Sequence, residues 1–513
     1  MKKIILPFIF IAFSCVSYAA SEDELITRAQ AIHARVMALD THVDIPLNFA
    51  TSEHDPLDAE AQVNLSNMRS GGLDTAFFIV YVGQQERNAM NYLDAKADAL
   101  NKFDAIHRMV ELYPDLIGLA DTADEAKALH AEGKLVAMIG VENGFSIGQD
   151  ISLVEEFRKR GARYMGLVHN GHNDIGDSAQ PQERLNDVTV EHGGLSEFGY
   201  RVVEELNRTG ILVDVSHVSK QTMLDVVNHS KAPIIASHSS VNGVFVHPRN
   251  LDDDQLLAIR DNGGVVQIVA FDNYLNEGRG TASVQDLVDH IDYAVDMMGV
   301  EHVGISSDFG GGGGISGWNN ADETINVTVE LVRRGYSEQE IAMIWGGNVL
   351  RILEEAENIA DPEFVAESSL PVFEDFPVLD SNVLVQRIDL DSHPDARNFR
   401  TRLEYTLNEP ANFAGHYHVT YWGCGTMCQM VAVIDALDGT VFFPFDFATS
   451  YGACHRADSS LFITNPADKY LLEAYGGDFP DWFTMGYYQW DGAQMQLLAE
   501  TQDITDLQGC ETL

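Results

Sequence analysis

ALDTHVDIP, residues 38–46, is a short apolar run that closes on His42 and Asp44. Side chains two positions apart on a strand point the same way. An imidazole and a carboxylate held side by side at a strand's end form half of a site for a borderline metal ion. A hydrogen-bonded histidine beside a turn-forming aspartate would give the same two letters. The rest of the chain decides between the two readings, because the pattern recurs.

Outward from this stretch, apolar runs alternate with helical periodicity. A helix is expected over 21–38, ahead of the first strand. Further strands are expected at 73–82, 135–142, 162–169, 211–217, 233–238, 265–271 and 302–308. The apolar spacing between them predicts helices at 89–113, 122–131, 153–160, 198–209, 219–228, 253–262 and 284–298, with two more at 323–333 and 337–355. Gly210, Gly263 and Gly299 stand where helices stop, and Ser219 where one starts. Eight strands alternating with helices predict an α/β chain closed into a (β/α)8, TIM-like barrel. An open doubly wound sheet is the competing architecture. It would carry a glycine-rich phosphate turn after an early strand, and the run 310–314 instead follows the last strand with no lysine behind it.

From about residue 371 helical periodicity stops. Segments 383–388, 399–405, 416–422, 430–434 and 441–443 read as strands, Asp438-Gly439 as a hairpin turn, and 470–475 as part of a short helix. At the other end, Lys2 and Lys3 precede the apolar run 4–13 and small residues up to Ala19 and Ala20. This reads as a secretory leader cleaved after Ala19, not as a membrane span. Cys15 lies in a poor lipoprotein context, so anchoring there is not expected. The expected division is therefore a leader at 1–19, a barrel at 20–375 and a small, mainly-β domain of unknown function at 376–513. Cys424, Cys428, Cys454 and Cys510 all fall in that last domain. Their even number in an exported chain points to two disulfides, with three pairings open. The expected location is the periplasm of a Gram-negative bacterium, and no later segment is apolar for long enough to span a bilayer.

The 513 residues carry 78 Asp and Glu against 32 Lys and Arg, a formal charge of −46, and two units more negative without Lys2 and Lys3. Such a surface repels nucleic acid and anionic lipid, which excludes both as partners. It says nothing about the charge inside a pocket.

The expected strand ends carry the chemistry. They present His42 and Asp44, Glu142, His169, His217, His238 and Asp308. In a parallel barrel, catalytic groups sit at the C-terminal rim, where strands finish. His42 and Asp44 can serve one ion, and His217 and His238 a second. Glu142 can bridge the two through its two oxygens, giving a pair of ions that share an activated water. Asp308 is then free to take the proton of the attacking water and pass it to the leaving amine. His169 is free to donate to the substrate carbonyl oxygen. Arg249, in the loop after the sixth strand, can hold a substrate carboxylate through a two-pronged ion pair. His172, Asp174, Asp177 and His192 read as solvated loop residues, His54 and His229 as surface groups, and Asp214 as facing away from His217.

These segments closely resemble the membrane (renal-type) dipeptidase family, the M19 metallopeptidases, over residues 36–355. The resemblance is carried by THVD at 41–44, NMRSGGLD at 67–74, GARYMGLVHN at 161–170 and LVDVSHVS at 212–219. It continues in APIIASHSS at 232–240, HPRNLDDD at 247–254, GISSDF at 304–309 and RRGYSEQEIAMIWGGNVLRI at 333–352. It implies a barrel of the metal-dependent hydrolase type. It also implies two zinc ions held by His42, Asp44, Glu142, His217 and His238, with Glu142 bridging. His169 and Arg249 match the family's substrate-binding residues and Asp308 its acid/base. The activity implied is hydrolysis of free dipeptides by a metal-bridging water, with L-residues and also a D-residue at the C-terminal position. Three positions depart from the family pattern: Val43 for Asn, Asn143 for Gly, and Ile175-Gly176-Asp177 for Trp-Ala-Asp. The final domain resembles small secreted bacterial proteins through ANFAGHYHVTYWGCGTMC at 411–428 and VIDALDGTVFFP at 433–444. Its Tyr417, Tyr421 and Trp422 read as core ahead of a binding face. The rival functions are another binuclear amidohydrolase, acting on a cyclic amide or β-lactam, and a catalytically dead binding protein. The oligomeric state stays open, a homodimer included.

Overall fold

The apolar runs pair as parallel strands. They are β1 (Leu39–Asp44), β2 (Thr75–Tyr81), β3 (Ile117–Leu119), β4 (Leu135–Glu142), β5 (Ala162–Gly166), β6 (Leu212–Asp214), β7 (Ile235–Ser239), β8 (Val265–Val269) and β9 (Val303–Ser306). Eight of them follow one another in the order β1-β2-β4-β5-β6-β7-β8-β9. Val43 pairs in parallel with Phe309, and the Asp44 N–H donates to the Phe309 carbonyl at 2.8 Å, which draws the ring shut. The short β3 is not expected from the sequence. It takes the first half of β4, and β5 takes the second.

The computed structural model describes residues 21–501 apart from 363, 365–370, 372, 374–375, 380, 426–427, 446–451 and 467–482. The expected leader with Cys15, the short helix at 470–475 and Cys510 lie outside the described residues. The chain forms two units, divided between Asp361 and Pro362.

Alternation along the strands sorts side chains to two faces. Phe77 and Ile79 of β2, Met138 of β4 and Tyr164 of β5 pack inside the ring, while Ala76, Phe78 and Val80 face the helices. Leu353 and Ile352, on the helix Asn348–Ile359, join Leu39, Val136 and Leu212 at the beginnings of strands. Each such side chain contributes about 1.5–3 kcal/mol by leaving water. This packing fills the end of the barrel opposite the strand tips. The single helix expected at 337–355 is two helices joined by a π-helical turn at Met343–Gly347. A Cβ on Gly346 would stand 2.9 Å from the Met37 carbonyl oxygen, so the glycine lets this turn press against the start of β1.

The second unit is mainly β. One antiparallel sheet comprises Tyr417–Gly425, Cys428–Asp435 and Val441–Phe442. The other comprises Ala453–His455, Leu461–Thr464, Met485–Trp490 and Met495–Thr501. Asp438 and Gly439 form the expected turn, with Gly439 at φ 80°. Segment 399–405 is a helix, Arg400–Glu404, and not a strand: Leu403 alone is buried there and Arg400 pairs with Glu404 one turn on. Segment 383–388 makes only the isolated bridge Leu384–Pro410. Cys424 is bonded to Cys428 across the reversal between the first two strands, and Cys454 is also disulfide-bonded. Trp422 is buried and Tyr417 packs on Trp490 with ring centroids 5.4 Å apart, as core residues do. Among the described residues no helix is long and apolar enough to cross a membrane.

Candidate metal centre

The strand tips bring the seven expected side chains to one place. His42 Nε2 lies 3.4 Å from Asp44 Oδ2 and 3.5 Å from Glu142 Oε2. The other oxygen of Glu142, Oε1, lies 3.1 Å from His217 Nε2, 3.4 Å from His238 Nε2 and 3.8 Å from His169 Nε2. The two oxygens of one carboxylate thus face different imidazoles, Oε2 that of His42 and Oε1 those of His217, His238 and His169. Asp308 Oδ1 stands 3.9 Å from His42 Nε2 on the far side.

The hydrogen-bond partners of the imidazoles determine which nitrogen is free. The Tyr164 hydroxyl donates to the Thr41 carbonyl at 2.8 Å, so its oxygen accepts from His42 Nδ1–H at 3.0 Å. The Ser237 hydroxyl donates to Asp214 Oδ2 at 2.7 Å and accepts from His238 Nδ1–H at 2.9 Å. His217 Nδ1–H donates to Asn170 Oδ1 at 3.0 Å. All three rings therefore turn Nε2 inward; those of His217 and His238 carry a lone pair there, and His42 offers one once a metal ion takes the place of its proton. His217 Nε2 and His238 Nε2 are 2.8 Å apart, which two lone pairs do not tolerate without a cation between or beside them. His42 Nε2 is buried with no hydrogen-bond partner. This orphaned nitrogen and a donor set of imidazole and carboxylate fit a metal centre with oxygen and nitrogen ligands. Three overlapping groups meet that geometry: His42, Glu142 and His238; Glu142, His169 and His217; and His42, Asp44 and Asp308.

Charge at the site points the same way. Burial lowers His217 and His238 well below the ordinary imidazole value, and neighbouring cationic groups, Arg249 for His217 and His42 for His238, lower them further. Both rings are thus neutral, as ligands must be. Burial disfavours charge on His42, yet Glu142 and Asp44 raise it well above its ordinary value. The space between these three groups calls for positive charge, which a proton or a metal ion can supply. Burial alone would raise Glu142, but the imidazoles, His42 foremost, hold it well below the usual carboxylate range. Burial pushes Asp308 well above that range, with Asp44 and Glu142 adding to the effect and His42 opposing it.

The backbone is strained at the same tips. His217 has φ 67°, Asp308 φ 58° and Asn143 φ 78°. Left-handed residues other than glycine are uncommon and cluster at functional sites. These turns end the ladders early: β6 stops at Asp214 and β9 at Ser306, whereas the expected strands run on to His217 and Asp308. β5 likewise stops at Gly166, three residues before His169. Asparagine at 143 suits a left-handed position better than most residues, which explains why it can stand where the family pattern has glycine.

Two buried carboxylates brace the tips where the ladders fail. Asp40 Oδ1 accepts from His42 N and from Ser307 N of the neighbouring arc, at 3.2 and 2.9 Å. Asp214 Oδ1 accepts from Ser216 N and from Ser237 N, both at 2.9 Å. Asp214, expected to play no part at the site, accepts from the Ser237 hydroxyl and through it positions His238. Sequence reasoning missed this role, along with those of Tyr164, Ser237 and Asn170. Its available signal was the aspartate recurring two residues before His42 and three before His217.

A cavity of about 530 Å³ opens over the cluster. Asp44, Glu142, His169, His217, His238 and Asp308 form its floor, with Tyr81, Lys102, Phe49, His54 and Tyr274 around them. His54, expected at the surface, lines this cavity. His172 and Asp177, expected in solvent, are buried. Asp177 accepts from the N–H groups of Glu191, His192 and Gly193 at 2.9–3.1 Å and shapes the 170–194 loop. Arg249 is 2 % exposed and lies behind the wall. It donates to the His238 carbonyl at 3.0 Å, its guanidinium is 5.6 Å from the Tyr274 ring centre, and its Nε has no acceptor.

Comparison with known proteins bears on this geometry. The sequence model of the membrane dipeptidase family, peptidase family M19, matches residues 26–366. Dipeptidase aclJ of Aspergillus oryzae is 35% identical over 317 residues, 60% of this chain and 73% of that protein. Dipeptidase verJ of Clonostachys rogersoniana is 33% identical over 359 residues, 67% of this chain and 90% of that one. The crystal structure of the probable dipeptidase PvdM from Pseudomonas aeruginosa superposes with a TM-score of 0.64 at 30% identity, covering 66% of this chain and 100% of its own. A metallo peptidase from Rhodobacter sphaeroides, solved with a phosphinate mimic of the dipeptide L-Ala-D-Ala, gives 0.56 at 25% identity, covering 63% and 99%. The barrel, its cluster of metal-ligating side chains and these matches lead to one conclusion: the chain belongs to the membrane dipeptidase family, peptidase family M19, a family of metal-dependent dipeptidases.

Proposed function

We propose that the protein hydrolyses free dipeptides at a two-zinc centre held by His42, Asp44, Glu142, His217 and His238, with Glu142 shared between the ions. The observation that carries this reading is the division of Glu142: one oxygen faces His42, and the other faces His217 and His238. When bound, the two ions supply Lewis acidity, acidifying the attacking water and polarising the scissile carbonyl. The remaining steps belong to the chain's own groups. Asp308, whose carboxyl burial makes easy to protonate, accepts the proton of the attacking water and returns it to the departing nitrogen. His169, on the other side of the cavity floor, donates to the carbonyl oxygen as negative charge develops there. The unpaired Nε of Arg249 is a waiting donor for the substrate's C-terminal carboxylate, reached past Tyr274. The cavity volume suits a ligand of two residues. Attack at a planar carbonyl does not depend on chirality beyond the nitrogen. The L-Ala-D-Ala mimic held by the Rhodobacter relative supports acceptance of a C-terminal D-residue here too. The Cys424–Cys428 disulfide supports an oxidising compartment, for which we infer the periplasm.

The test is a panel of dipeptides with L- and D-residues at each position, run on zinc-loaded protein beside tetrapeptides and a cyclic amide. Dipeptide turnover with poor tetrapeptide cleavage is the expected result. Preference for the cyclic amide would move the protein to the rival amidohydrolase reading.

Tyr164 offers a separate check on the ligand assignment. Tyr164→Phe keeps the ring over Gly140, where a Cβ would collide with it, and removes only the oxygen that orients His42. Loss of such a supporting hydrogen bond costs a metal site about 10- to 100-fold in affinity. Competition with a zinc chelator should read that drop without a change in the circular-dichroism spectrum.

A further inference from the structure

We propose that Lys102 selects dipeptides whose N-terminal residue carries a side-chain carboxylate, aspartyl or glutamyl; the proposal rests on the dipeptidase reading above. Lys102 lies on the helix Ala89–Leu112, which follows β2, and only 6 % of its surface is exposed. It borders the cavity over the metal-ligating cluster. Its ammonium sits 5.5 Å from the centre of the Tyr81 ring, and Tyr81 in turn packs against His169. Among the described residues no carboxylate forms an ion pair with it. Asp44, Glu142 and, one turn back on the same helix, Asp98 are near enough to offset part of the burial penalty on its charge, yet none of them is within ion-pair distance, and the first two are turned towards His42. An ammonium held out of water beside an aromatic face, with no counter-ion of its own, is costly unless a ligand brings the opposite charge.

The ring decides which part of the ligand that is. β2 and β7 are four places apart among eight strands, on opposite walls of the barrel. Lys102 stands behind the β2 wall, and Arg249 follows β7. A dipeptide whose C-terminal carboxylate faces Arg249 has its peptide carbonyl over the cluster and its N-terminal side chain against the opposite wall. There Phe49, Phe78 and Tyr81 border the cavity and suit the methylenes of an aspartyl or glutamyl side chain, with Lys102 at the end to receive the carboxylate. Two cations on opposite walls thus measure a ligand with two carboxylates, and the acidity of this pocket's ligands runs against the acidity of the protein's surface.

The experiment compares kcat/KM of the zinc-loaded full chain for L-Glu-L-Ala, L-Gln-L-Ala, L-Ala-L-Glu and L-Ala-L-Ala. Glu-Ala and Gln-Ala have the same shape and differ in charge. The expected preference for Glu-Ala over Gln-Ala is about 10- to 100-fold, the usual worth of a hydrogen bond to a charged group. Lys102→Met should bring that ratio close to one, and Lys102→Arg should keep most of it. Calorimetric binding of the same two peptides to the slow Asp308→Asn protein, with and without Lys102→Met, gives a readout free of turnover, and the same ratio should appear there. Equal handling of Glu-Ala and Gln-Ala by the unaltered protein overturns the proposal, as does a preference for Ala-Glu. A Lys102→Met protein that loses the same factor on every substrate also overturns it, since that is the signature of packing alone. No turnover of any dipeptide, Ala-Ala included, overturns the dipeptidase reading and this proposal with it.

Discussion

Asp308→Asn is expected to keep its metal complement and to lose about 10²–10⁴-fold in kcat, the range a positioned acid or base contributes. The substitution is a clean one. Asp308 occupies a left-handed backbone position at φ 58°, and asparagine is among the few residues that adopt it readily. Shape and polarity are kept and the proton-accepting oxygen is lost. The carboxyl is buried, and burial together with Asp44 and Glu142 raises it well above the usual carboxylate range, so it holds a proton more readily than an exposed aspartate does. Because Asp308 Oδ1 is 3.9 Å from His42 Nε2, and Asp308 groups with His42 and Asp44 as possible ligands, a rival role exists for it. Metal analysis beside single-turnover kinetics separates the two. Loss of one ion in proportion to activity would make Asp308 a ligand, and unchanged kcat would remove it from the reaction altogether.

Glu142→Gln should have the other large effect. The amide keeps one acceptor oxygen and turns the second position into a donor. Whichever way it turns, an N–H group then points at inward-facing Nε2 lone pairs, either that of His42 or those of His217 and His238. Stoichiometry measured by elemental analysis should fall from two ions to one per chain. Activity should fall by about 10³-fold, as expected when several kcal/mol of charge stabilisation disappear. The rise in Tm on adding zinc should shrink with it, because metal that binds only the folded chain stabilises by mass action. A variant that still binds two ions with the affinity of the parent would rule out the shared carboxylate.

Much of this was readable in one dimension, for a reason that lies in the strand itself. Side chains alternate with a period of two, so THVD declares that His42 and Asp44 share a face. A run such as LVAMIGVE, apolar throughout and closed by a glutamate, declares a doubly buried strand with its reactive group at the tip. β4 has the bounds its sequence predicts. The helix Val284–Met298, whose apolar stripe is bounded by Ser283 and Gly299, does likewise. Such local rules need no partner. Where a segment takes its form from a partner, the sequence is silent. β3 is three residues long and fills the edge of β4 that β5 leaves open at its start, opposite the edge that β2 takes. Segment 399–405 has a strand's composition but winds as a helix, since Phe399 and Leu403, four positions apart, pack on one core while the residues between them are exposed.

The chain alone thus determined the alternation of strand and helix, and the strand tips on which the reactive groups fall. Tertiary structure alone decided how those groups meet. His217 and Asp308 leave their ladders through left-handed turns that no periodicity announces. Which nitrogen of each ring is free depends on Tyr164, Ser237 and Asn170, residues 122, 1 and 47 positions away from the histidines they hold. Lys102 looks like one more residue of an amphipathic helix until closure of the ring turns it towards the cavity. Orientation, tautomer and burial are properties of neighbours in space, and these become neighbours only when the eighth strand arc closes on the first.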